Sequence, residues 1–304
     1  RQFSMGYLQF NVMEQRKLLE KHAAAAGLKD VKVVWATFNS PAAMNDALLS
    51  GSVDIVSGGV PGLLTIWART KGTPIAVKGI GAFTSQPVLL NGRDPAVKSI
   101  TDFKAEHKIA LPAPKVSLQA MILQMAAAKQ WGKEQFAKLD GLTVGMTPPD
   151  ATIALLADPP GVTAVFSVPP FQQQQLASNK VHTILNSYDV WGGKQTLIVA
   201  WTTGKFAKEN PKTFGAVVAA IREATDWINA NKPAAAKLYL DASKDKIAES
   251  DVLAMLNDPQ NELTLTPQNM MKFVAFKHQI GTMKNLPASW KDMFFDVVHN
   301  LPGS

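Results

Sequence analysis

The chain has 304 residues, of which 46% are apolar and 18% charged, and its mean hydropathy is close to zero. Its formal net charge is +7, and it contains no cysteine, which excludes thiolate catalysis, thiolate-bound zinc, iron–sulfur clusters and disulfides. This length predicts two domains, and no apolar run approaches the roughly 18 residues that a membrane-spanning helix requires.

The positive charge is carried almost entirely by lysine, since only five of the 31 basic residues are arginine. Proteins that read nucleic acids cluster their basic residues and use arginine for bidentate contacts to phosphate and guanine. Here the lysines are spread along predicted helices, so we expect a solvated basic surface and no nucleic-acid partner. The charge leaves room for a mild preference for anionic ligands.

The first quarter of the chain alternates between strand and helix patterns. Glycines at 27 and 51 end two of the helices, and Asn39-Ser40-Pro41 combines an N-cap residue with a first-turn proline. The predicted strands are 2–9, 31–36, 53–57 and 74–78, and the predicted helices are 13–26, 41–50 and one that runs from the turn at 58–62 to about residue 69. This alternation predicts parallel sheets that are covered by helices.

The alternation restarts at residue 86 and continues to residue 185, with a long helix that begins at Ser117. A strand over 196–201 and several helices follow, and the residues after Leu286 form a wrapping tail. We therefore predict an α/β fold with a discontinuous first lobe, residues 1–86 plus 191–304, and a second lobe, residues 87–190. Because the chain crosses twice between the lobes, we expect a hinge and a ligand cleft at the carboxyl ends of the strands.

The usual catalytic signatures are absent from the sequence. There is no nucleophile elbow, zinc-protease or Walker pattern, and the segment after Gly79-Ile80-Gly81 reads as a strand, whereas a dinucleotide fingerprint requires a helix there. The five histidines lie far apart along the chain. The sequence therefore predicts no catalytic residue, no bound metal and no cofactor.

Five polar turns that contain glycine, proline or amide residues each follow a predicted strand and open a helix. Such turns place free backbone N–H groups and the positive end of a helix at one edge of a sheet, where they bind carboxylate, sulfonate, nitrate or phosphate without arginine. Every α/β protein has turns of this kind, so the prediction depends on their convergence in one cleft. The turns are Gln9-Phe10-Asn11, Asn39-Ser40-Pro41, Gly58-Gly59-Val60-Pro61, Pro114-Lys115-Val116-Ser117 and Val168-Pro169-Pro170-Phe171.

Four stretches carry a resemblance to a known family: WATFNSPAAMNDALLSGSVDIVSGGVPGLL (35–64), SITDFKAEHKIALPAPKVSLQAMIL (99–123), AVFSVPPFQQQQL (164–176) and TPQNMMKFVAFKHQIGTMKNLPASWKDMFF (266–295). In their order and spacing the chain resembles the nitrate/sulfonate/taurine solute-binding proteins of ABC importers. This resemblance implies a two-lobed type-2 periplasmic binding protein fold, with two α/β lobes joined by two crossover strands and a helical C-terminal tail. It also implies that the ligand contacts come from Gln9, Phe10, Asn11, Asn39, Ser40, Gly58, Gly59, Pro61, Ser117, Leu118, Ser167, Pro169 and Phe171.

The function that the resemblance implies is capture of a small molecule outside the cytoplasmic membrane and its delivery to the permease subunits of an ABC importer. We expect a monomer that is periplasmic or otherwise extracytoplasmic, with or without a membrane anchor, after removal of a signal peptide. The ligand stays open between small oxyanions, such as sulfonates or nitrate, and planar organic molecules, such as pyrimidines or aromatic carboxylates.

Two alternative functions also stay open. One is an enzyme related to the thiamine-pyrimidine synthases, although the cysteine-rich motif of those enzymes is absent here; the other is a stand-alone ligand sensor of the same fold. For the binding-protein hypothesis, we expect Ser117→Pro to weaken binding without unfolding the protein, because proline removes a donor at a helix end.

Overall fold

The computed structural model describes residues 4–38 and 41–304, without the side chain of Pro41. The helices in this part of the chain are α1 (Leu8–Gln15), α2 (Leu18–Ala25), α3 (Pro41–Ser50), α4 (Val60–Thr70), α5 (Leu118–Trp131), α6 (Pro148–Leu156), α7 (Phe171–Leu176), α8 (Ser187–Trp191), α9 (Gly204–Glu209), α10 (Pro211–Ala230), α11 (Lys232–Ser243), α12 (Glu249–Asn257) and α13 (Met270–Gln279). The strands are β1 (Ile55–Gly59), β2 (Val77–Ser85), β3 (Leu89–Gly92), β4 (Ile109–Leu111), β5 (Thr143–Gly145), β6 (Ala164–Ser167), β7 (His182–Asn186), β8 (Thr196–Thr203) and β9 (Glu262–Leu263).

These strands form two separate sheets. The first sheet has the order β1-β8-β2-β9, and the second has the order β5-β4-β6-β3-β7. The chain builds β1 and β2, crosses to the second sheet for β3 to β7, and returns to the first sheet for β8 and β9. Two α/β units joined by two crossings confirm the fold class that the sequence predicts.

The two crossings are joined to each other by hydrogen bonds. The Val88 amide donates to Ser187 Oγ at 2.9 Å, and the Ser187 amide donates to the Val88 carbonyl at 3.0 Å. Ser85 Oγ donates to the Gln195 carbonyl at 2.6 Å, and Gln195 Nε2 donates to Ser187 Oγ at 2.9 Å. Since Ser85 and Gln195 are 110 positions apart, these bonds make one two-stranded connection from two distant parts of the chain.

The prediction of parallel sheets is wrong for the first sheet, whose paired strands are antiparallel. The reason is β8, which returns from the second sheet, enters between β1 and β2, and runs opposite to both. In the second sheet, β4 is parallel to β5 and to β6, whereas β3 is antiparallel to β6 and to β7. Local strand–helix alternation does not reveal a partner strand that comes from much later in the sequence.

The predicted strand over residues 2–9 is wrong in its described part. Met5–Tyr7 form a 3₁₀ turn, and α1 begins at Leu8. Leu8 and Val12 lie one helical turn apart and are fully buried, and α1 packs against α10 and α11. The predicted helix over 13–26 is divided between α1 and α2, because Lys17 adopts a left-handed backbone conformation with a φ of 50°.

The segment predicted as a strand over residues 31–36 joins neither sheet in the described structure. Its side chains still alternate between half-buried and exposed positions, as the sequence pattern suggests. The ring of Trp35 packs against that of Phe10 at a centroid distance of 5.4 Å. Side-chain packing therefore contributes to holding this segment, which is not a strand of either sheet.

The core of the first sheet is centred on Trp201 of β8, whose Nε1 donates to Asn45 Oδ1 at 3.1 Å. The C-terminal tail returns to this sheet, where the Phe295 amide donates to the Gly79 carbonyl at 2.9 Å. A Cβ at Gly79 would lie 2.5 Å from the Phe294 ring, so the tail can approach this strand only at a glycine. Among the described helices, none has both the length and the apolar character needed to cross a membrane.

Candidate ligand-binding site

A cavity of about 120 Å³ lies between the two sheets, which is ample for more than one water molecule and suits a small ligand. One wall comes from the side of the first sheet and the other from loops of the second sheet. Many of the lining residues lie at or just after the carboxyl ends of β1, β4, β5 and β6, which is where ligands bind in open α/β sheets. They are Ser4, Tyr7, Phe38, Gly59, Pro61, Gly62, Leu197 and Ile198 on the first side, and Pro112, Ala113, Val116, Ser117, Leu118, Gln119, Met146, Thr147, Pro148 and Val168 on the second.

A larger groove of about 490 Å³ lies between the 31–38 segment and β1. Its described lining comes from the side of the first sheet alone, so movement of one sheet relative to the other cannot close it on a ligand. The cavity between the sheets is therefore the better candidate, although it is smaller.

Helix α5 begins at this cavity and brings free donors to it. Ser117 is its N-cap, and Ser117 Oγ accepts a hydrogen bond from the Ala120 amide at 3.2 Å. The amides of Leu118 and Gln119, in the same first turn, have no hydrogen-bond partner within the described residues. Two backbone N–H groups at the positive end of a 14-residue helix are therefore available to an acceptor in the cavity.

The Ser117 amide is not one of these free donors. It donates to the Ala113 carbonyl at 3.0 Å, inside the loop that precedes α5. The reason given above for Ser117→Pro therefore does not hold, because proline would break a bond within the protein and would also remove the cap of Ala120. Replacement of Leu118 by proline, at the first helical position, removes a free backbone amide and leaves the Ser117 hydrogen bonds in place.

Helix α6 also begins at the cavity but brings no free amide. Thr147 is its N-cap, and its hydroxyl donates to Asp150 Oδ2 at 2.5 Å and accepts from the Asp150 amide at 3.4 Å. Pro148 and Pro149 follow the cap and have no N–H. The negative charge of the Asp150 carboxylate, in the first turn, compensates the positive end of this helix. An anionic group is thus favoured at α5 and not at α6.

Helix α4 adds a third N-terminus from the side of the first sheet. Gly59 is its N-cap and provides no side-chain cap, and Pro61 lies in the first turn. A Cβ at Gly59 would lie 3.6 Å from Leu118 Cβ, so the beginnings of α4 and α5 face each other across the cavity. Because Gly59 has no side chain, the backbone at the start of α4 closely approaches the start of α5.

Ser4 and Tyr7 complete the polar lining. Ser4 Oγ accepts from the Gly6 amide at 3.1 Å, which leaves its hydroxyl hydrogen for another acceptor. Burial raises the pKa of the Tyr7 phenol well above its usual range, because the charged form would be desolvated. Tyr7 is therefore neutral at physiological pH.

The described lining contains no Asp, Glu, Lys, Arg or His side chain. Lys115, in the loop before α5, is exposed, does not line the cavity, and acts electrostatically on Asp140. Most of the remaining lining is apolar, including Phe38, Leu197 and Ile198. The site can therefore hold an acceptor group at its donor-rich side and an apolar body against the rest.

Four of the residues predicted from the sequence meet at this cavity: Gly59, Pro61, Ser117 and Leu118. Three others lie outside its lining. Gln9 is fully buried, and its Nε2 donates to the Phe83 carbonyl at 2.7 Å. Phe10 packs its ring against Phe83, with centroids 4.8 Å apart. Gly58 faces the core, since a Cβ there would lie 2.8 Å from Met44.

The other predicted residues are distributed around the cavity. Asn11 and Phe171 line a neighbouring pocket of about 360 Å³, which shares Ser4 and Tyr7 with the cavity. Ser167 is buried, and its Oγ accepts from Gln175 Nε2 at 2.6 Å. The Pro169 carbonyl accepts from the Met5 amide at 3.2 Å, which links the two sides next to the cavity. Asn39 and Ser40 lie outside the described residues.

Several lining residues were not predicted from the sequence, and they differ in how clearly the local sequence marks them. Thr147 followed by Pro148 is a helix start of the same kind as a Ser-Pro pair, so it was readable from the sequence. Leu197 and Ile198 belong to a buried strand, and nothing local distinguishes them from other core residues. Gln119 looks like any polar residue in the first turn of a helix.

The fold defined by this architecture is that of two-lobed periplasmic binding proteins. The aliphatic sulphonate binding protein SsuA from Escherichia coli has 18% sequence identity and a TM-score of 0.68, over 93% of this chain and 92% of that chain. The alkanesulfonate-binding protein SsuA from Xanthomonas axonopodis, bound to MOPS, has 16% identity and a TM-score of 0.70, over 93% of each chain. The nitrate-binding protein NrtA from Synechocystis has 16% identity and a TM-score of 0.68, over 96% of this chain and 82% of that chain.

The sequence itself gives the family. The model of the NMT1-like family matches residues 2–240, and the chain belongs to this family. None of the curated proteins matches the sequence.

Proposed function

We propose that this chain is a non-catalytic solute-binding protein that captures a small organic molecule outside the cytoplasmic membrane and delivers it to the permease of an ABC importer. The observation that carries the proposal is the cavity between the two sheets, where the free amides of Leu118 and Gln119 face an otherwise largely apolar lining. The solved structures with this fold supply the context, since their names describe periplasmic sulfonate- and nitrate-binding proteins.

The lining favours a ligand with one acceptor-rich group, neutral or singly negative, and an apolar body. Free amides and hydroxyls at the start of α5 stabilise such a group by hydrogen bonds and by the helix dipole. No cationic side chain among the described lining residues would balance a second negative charge. A carboxylate or sulfonate on a short apolar skeleton fits this pattern better than a multiply charged anion or bare nitrate.

Catalysis is not part of the proposal, because the described lining residues include no carboxylate, imidazole or amine that could act as an acid or base. Tyr7 is the one titratable side chain among them, and burial keeps its proton in place. Recognition and release are what this set of groups can perform.

On ligand capture, the two lobes would close by rotating about the paired crossings. The first lobe comprises residues 1–86 plus 191–304, and the second comprises residues 87–190. Their hydrogen-bonded connection provides the hinge, and the Met5–Pro169 bond closes the edge of the cleft. We further propose that the protein acts as a monomer and that its partners are the membrane subunits of an importer.

The first experiment is thermal unfolding of the purified protein against alkyl and aryl sulfonates, carboxylates, nitrate and pyrimidines. A ligand at about 100 times its Kd adds about 2.7 kcal/mol to the free energy of unfolding, which corresponds to a Tm increase of several degrees. A shift confined to one chemical class supports the proposal and defines the ligand class. No shift across the panel, together with no co-purified ligand in native mass spectrometry, would overturn it.

A pair of tryptophan substitutions tests whether the ligand occupies this cavity. Val116 lines the cavity and is 62% exposed, so Val116→Trp fills the entrance at little cost in stability. Ile153 on α6 is 69% exposed and does not line the cavity, so Ile153→Trp is the matched control. We expect Val116→Trp alone to abolish the ligand-induced Tm shift; equal shifts in both variants would place the ligand elsewhere.

A further inference from the structure

Gln119 combines burial with the absence of any hydrogen bond to its side chain. The residue is 9% exposed and lines the cavity. Its carboxamide has no hydrogen-bond partner within the described residues, and its polar atoms remain accessible to solvent. The amide therefore faces the open space of the cavity, at the second position of α5 and beside its own free backbone N–H.

Two other buried glutamines of this lobe, Gln175 and Gln124, are held by the protein, whereas Gln172 has an unpaired Oε1 that is sealed from solvent. Gln175 Nε2 donates to Thr152 Oγ1 at 2.8 Å and to Ser167 Oγ, while its Oε1 accepts from Asn91 Nδ2 at 2.9 Å. Gln124, further along α5, donates to Asp140 Oδ2 at 2.9 Å. Buried carboxamides are normally satisfied in this way, because an unpaired one costs free energy. Gln119 thus differs from Gln124 and Gln175 in having no hydrogen bond to its side chain, and from Gln172 in that its carboxamide is open to solvent.

The carboxamide also differs from the free backbone amides of the site. The backbone amides of Leu118 and Gln119 can only donate, whereas the Gln119 side chain presents an acceptor, Oε1, next to a donor, Nε2. A simple oxyanion such as nitrate or an alkyl sulfonate has only acceptors, so it would leave Oε1 unpaired. A ligand with an N–H or O–H directly beside its acceptor group would satisfy both.

We propose that Gln119 is the specificity-determining residue of this site and that it selects ligands with adjacent donor and acceptor groups, such as lactams or 2-hydroxy acids. This inference rests on the proposed function, because it assigns the ligand class of the same cavity. Sites built to hydrogen-bond a ligand donor reject analogues that lack the donor, since their own polar groups are then left unpaired.

The test uses two probe pairs that differ in the donor alone: 2-pyridone with N-methyl-2-pyridone, and 2-hydroxy-3-phenylpropanoate with 3-phenylpropanoate. Calorimetric titration compares the parent protein with Gln119→Leu and Gln119→Glu, and Gln135→Leu at an exposed position is the control. In the parent we expect the donor-bearing member of a pair to bind about tenfold more tightly. Gln119→Leu should remove this preference, and Gln119→Glu, which keeps an acceptor, should retain it for the neutral pair.

The Tm of the ligand-free variants separates recognition from a structural role. A glutamine that holds the fold together would lower the Tm when replaced by leucine, as we expect at Gln175. Gln119→Leu should leave the Tm unchanged or raise it, because an unpaired polar group becomes an apolar one in an apolar lining.

Three results would overturn the inference. The first is a parent protein that binds the probes but shows no preference within either pair. The second is a Gln119→Leu variant that keeps the preference or loses Tm as Gln175→Leu does. Either of these two results would leave the proposed function intact. Failure of the parent to bind these probes and the whole sulfonate, carboxylate and pyrimidine panel would instead overturn the proposed function, and this inference with it.

Discussion

Leu118→Pro removes one free amide from the cavity without breaking a hydrogen bond within the described protein. Leu118 is the first residue of α5, where proline is well tolerated because its fixed φ suits the helix start. The preceding residue, Ser117, has a φ of −73° and a ψ of 164°, which is the extended conformation that proline requires before it. The backbone should therefore accept this substitution without rearrangement.

The Leu118 side chain is buried against the opposite wall, so its loss must be separated from the loss of the amide. Leu118→Ala is the matched control, because it shortens the side chain but keeps the N–H. Burial of the leucine stabilises the interface between the lobes, and its truncation costs on the order of 2 kcal/mol in both variants. What differs between them is the backbone donor.

A hydrogen bond from an amide to a charged acceptor contributes about 1.5–3 kcal/mol. We therefore expect Leu118→Pro to bind an anionic ligand roughly 10- to 150-fold more weakly than Leu118→Ala, with similar unfolding midpoints for the two. Isothermal titration with the best ligand of the thermal-shift panel measures the ratio. Equal affinities for the two variants would refute the role given to the start of α5.

Two further predictions concern stability. Gln175→Leu should lower the free energy of unfolding by about 3 kcal/mol or more, because it removes three buried hydrogen bonds, while ligand affinity of the folded protein stays the same. Urea unfolding and calorimetry check both expectations. The second prediction concerns the tyrosines, because burial raises their pKa values above the ordinary value of 10.0. The neutral phenols therefore favour the folded state below pH 10, and this contribution to stability is lost as the pH rises further. A phenolate absorbance titration should show the chain's three tyrosines (Tyr7, Tyr188 and Tyr239) ionising in the native protein only at a much higher pH than in urea, and coincident curves would contradict their burial.

The starts of α4 and α5 were predictable from the sequence, because their signals are local. The N-cap serine and apolar stripe of α5 lie within a few residues of one another, and the structure has the helix at Leu118–Trp131. Gly59 and Pro61 mark the start of α4 in the same way. These signals depend on the geometry of one helical turn, which hardly changes with the rest of the fold.

The N-terminal region shows where such signals fail. Residues 5–9 have a composition that suits a strand, but they form a 3₁₀ turn and the start of α1, because Leu8 and Val12 are buried together against α10 and α11. The valine-rich segment at 31–36 joins neither sheet in the described structure. In both cases, the outcome depends on packing partners far away in the sequence.

What the sequence by itself determined is the class of fold, the double crossing between two α/β units, and the helix starts that present free amides. The tertiary structure decided which of those starts meet, where β8 runs, and which polar side chains keep a partner. Gln119, Gln124 and Gln175 are the same residue type in helices of one lobe, and the sequence does not separate them. They differ because Asp140, Asn91, Thr152 and Ser167 satisfy two of them, while Gln119 faces a cavity that exists only when both lobes are in place.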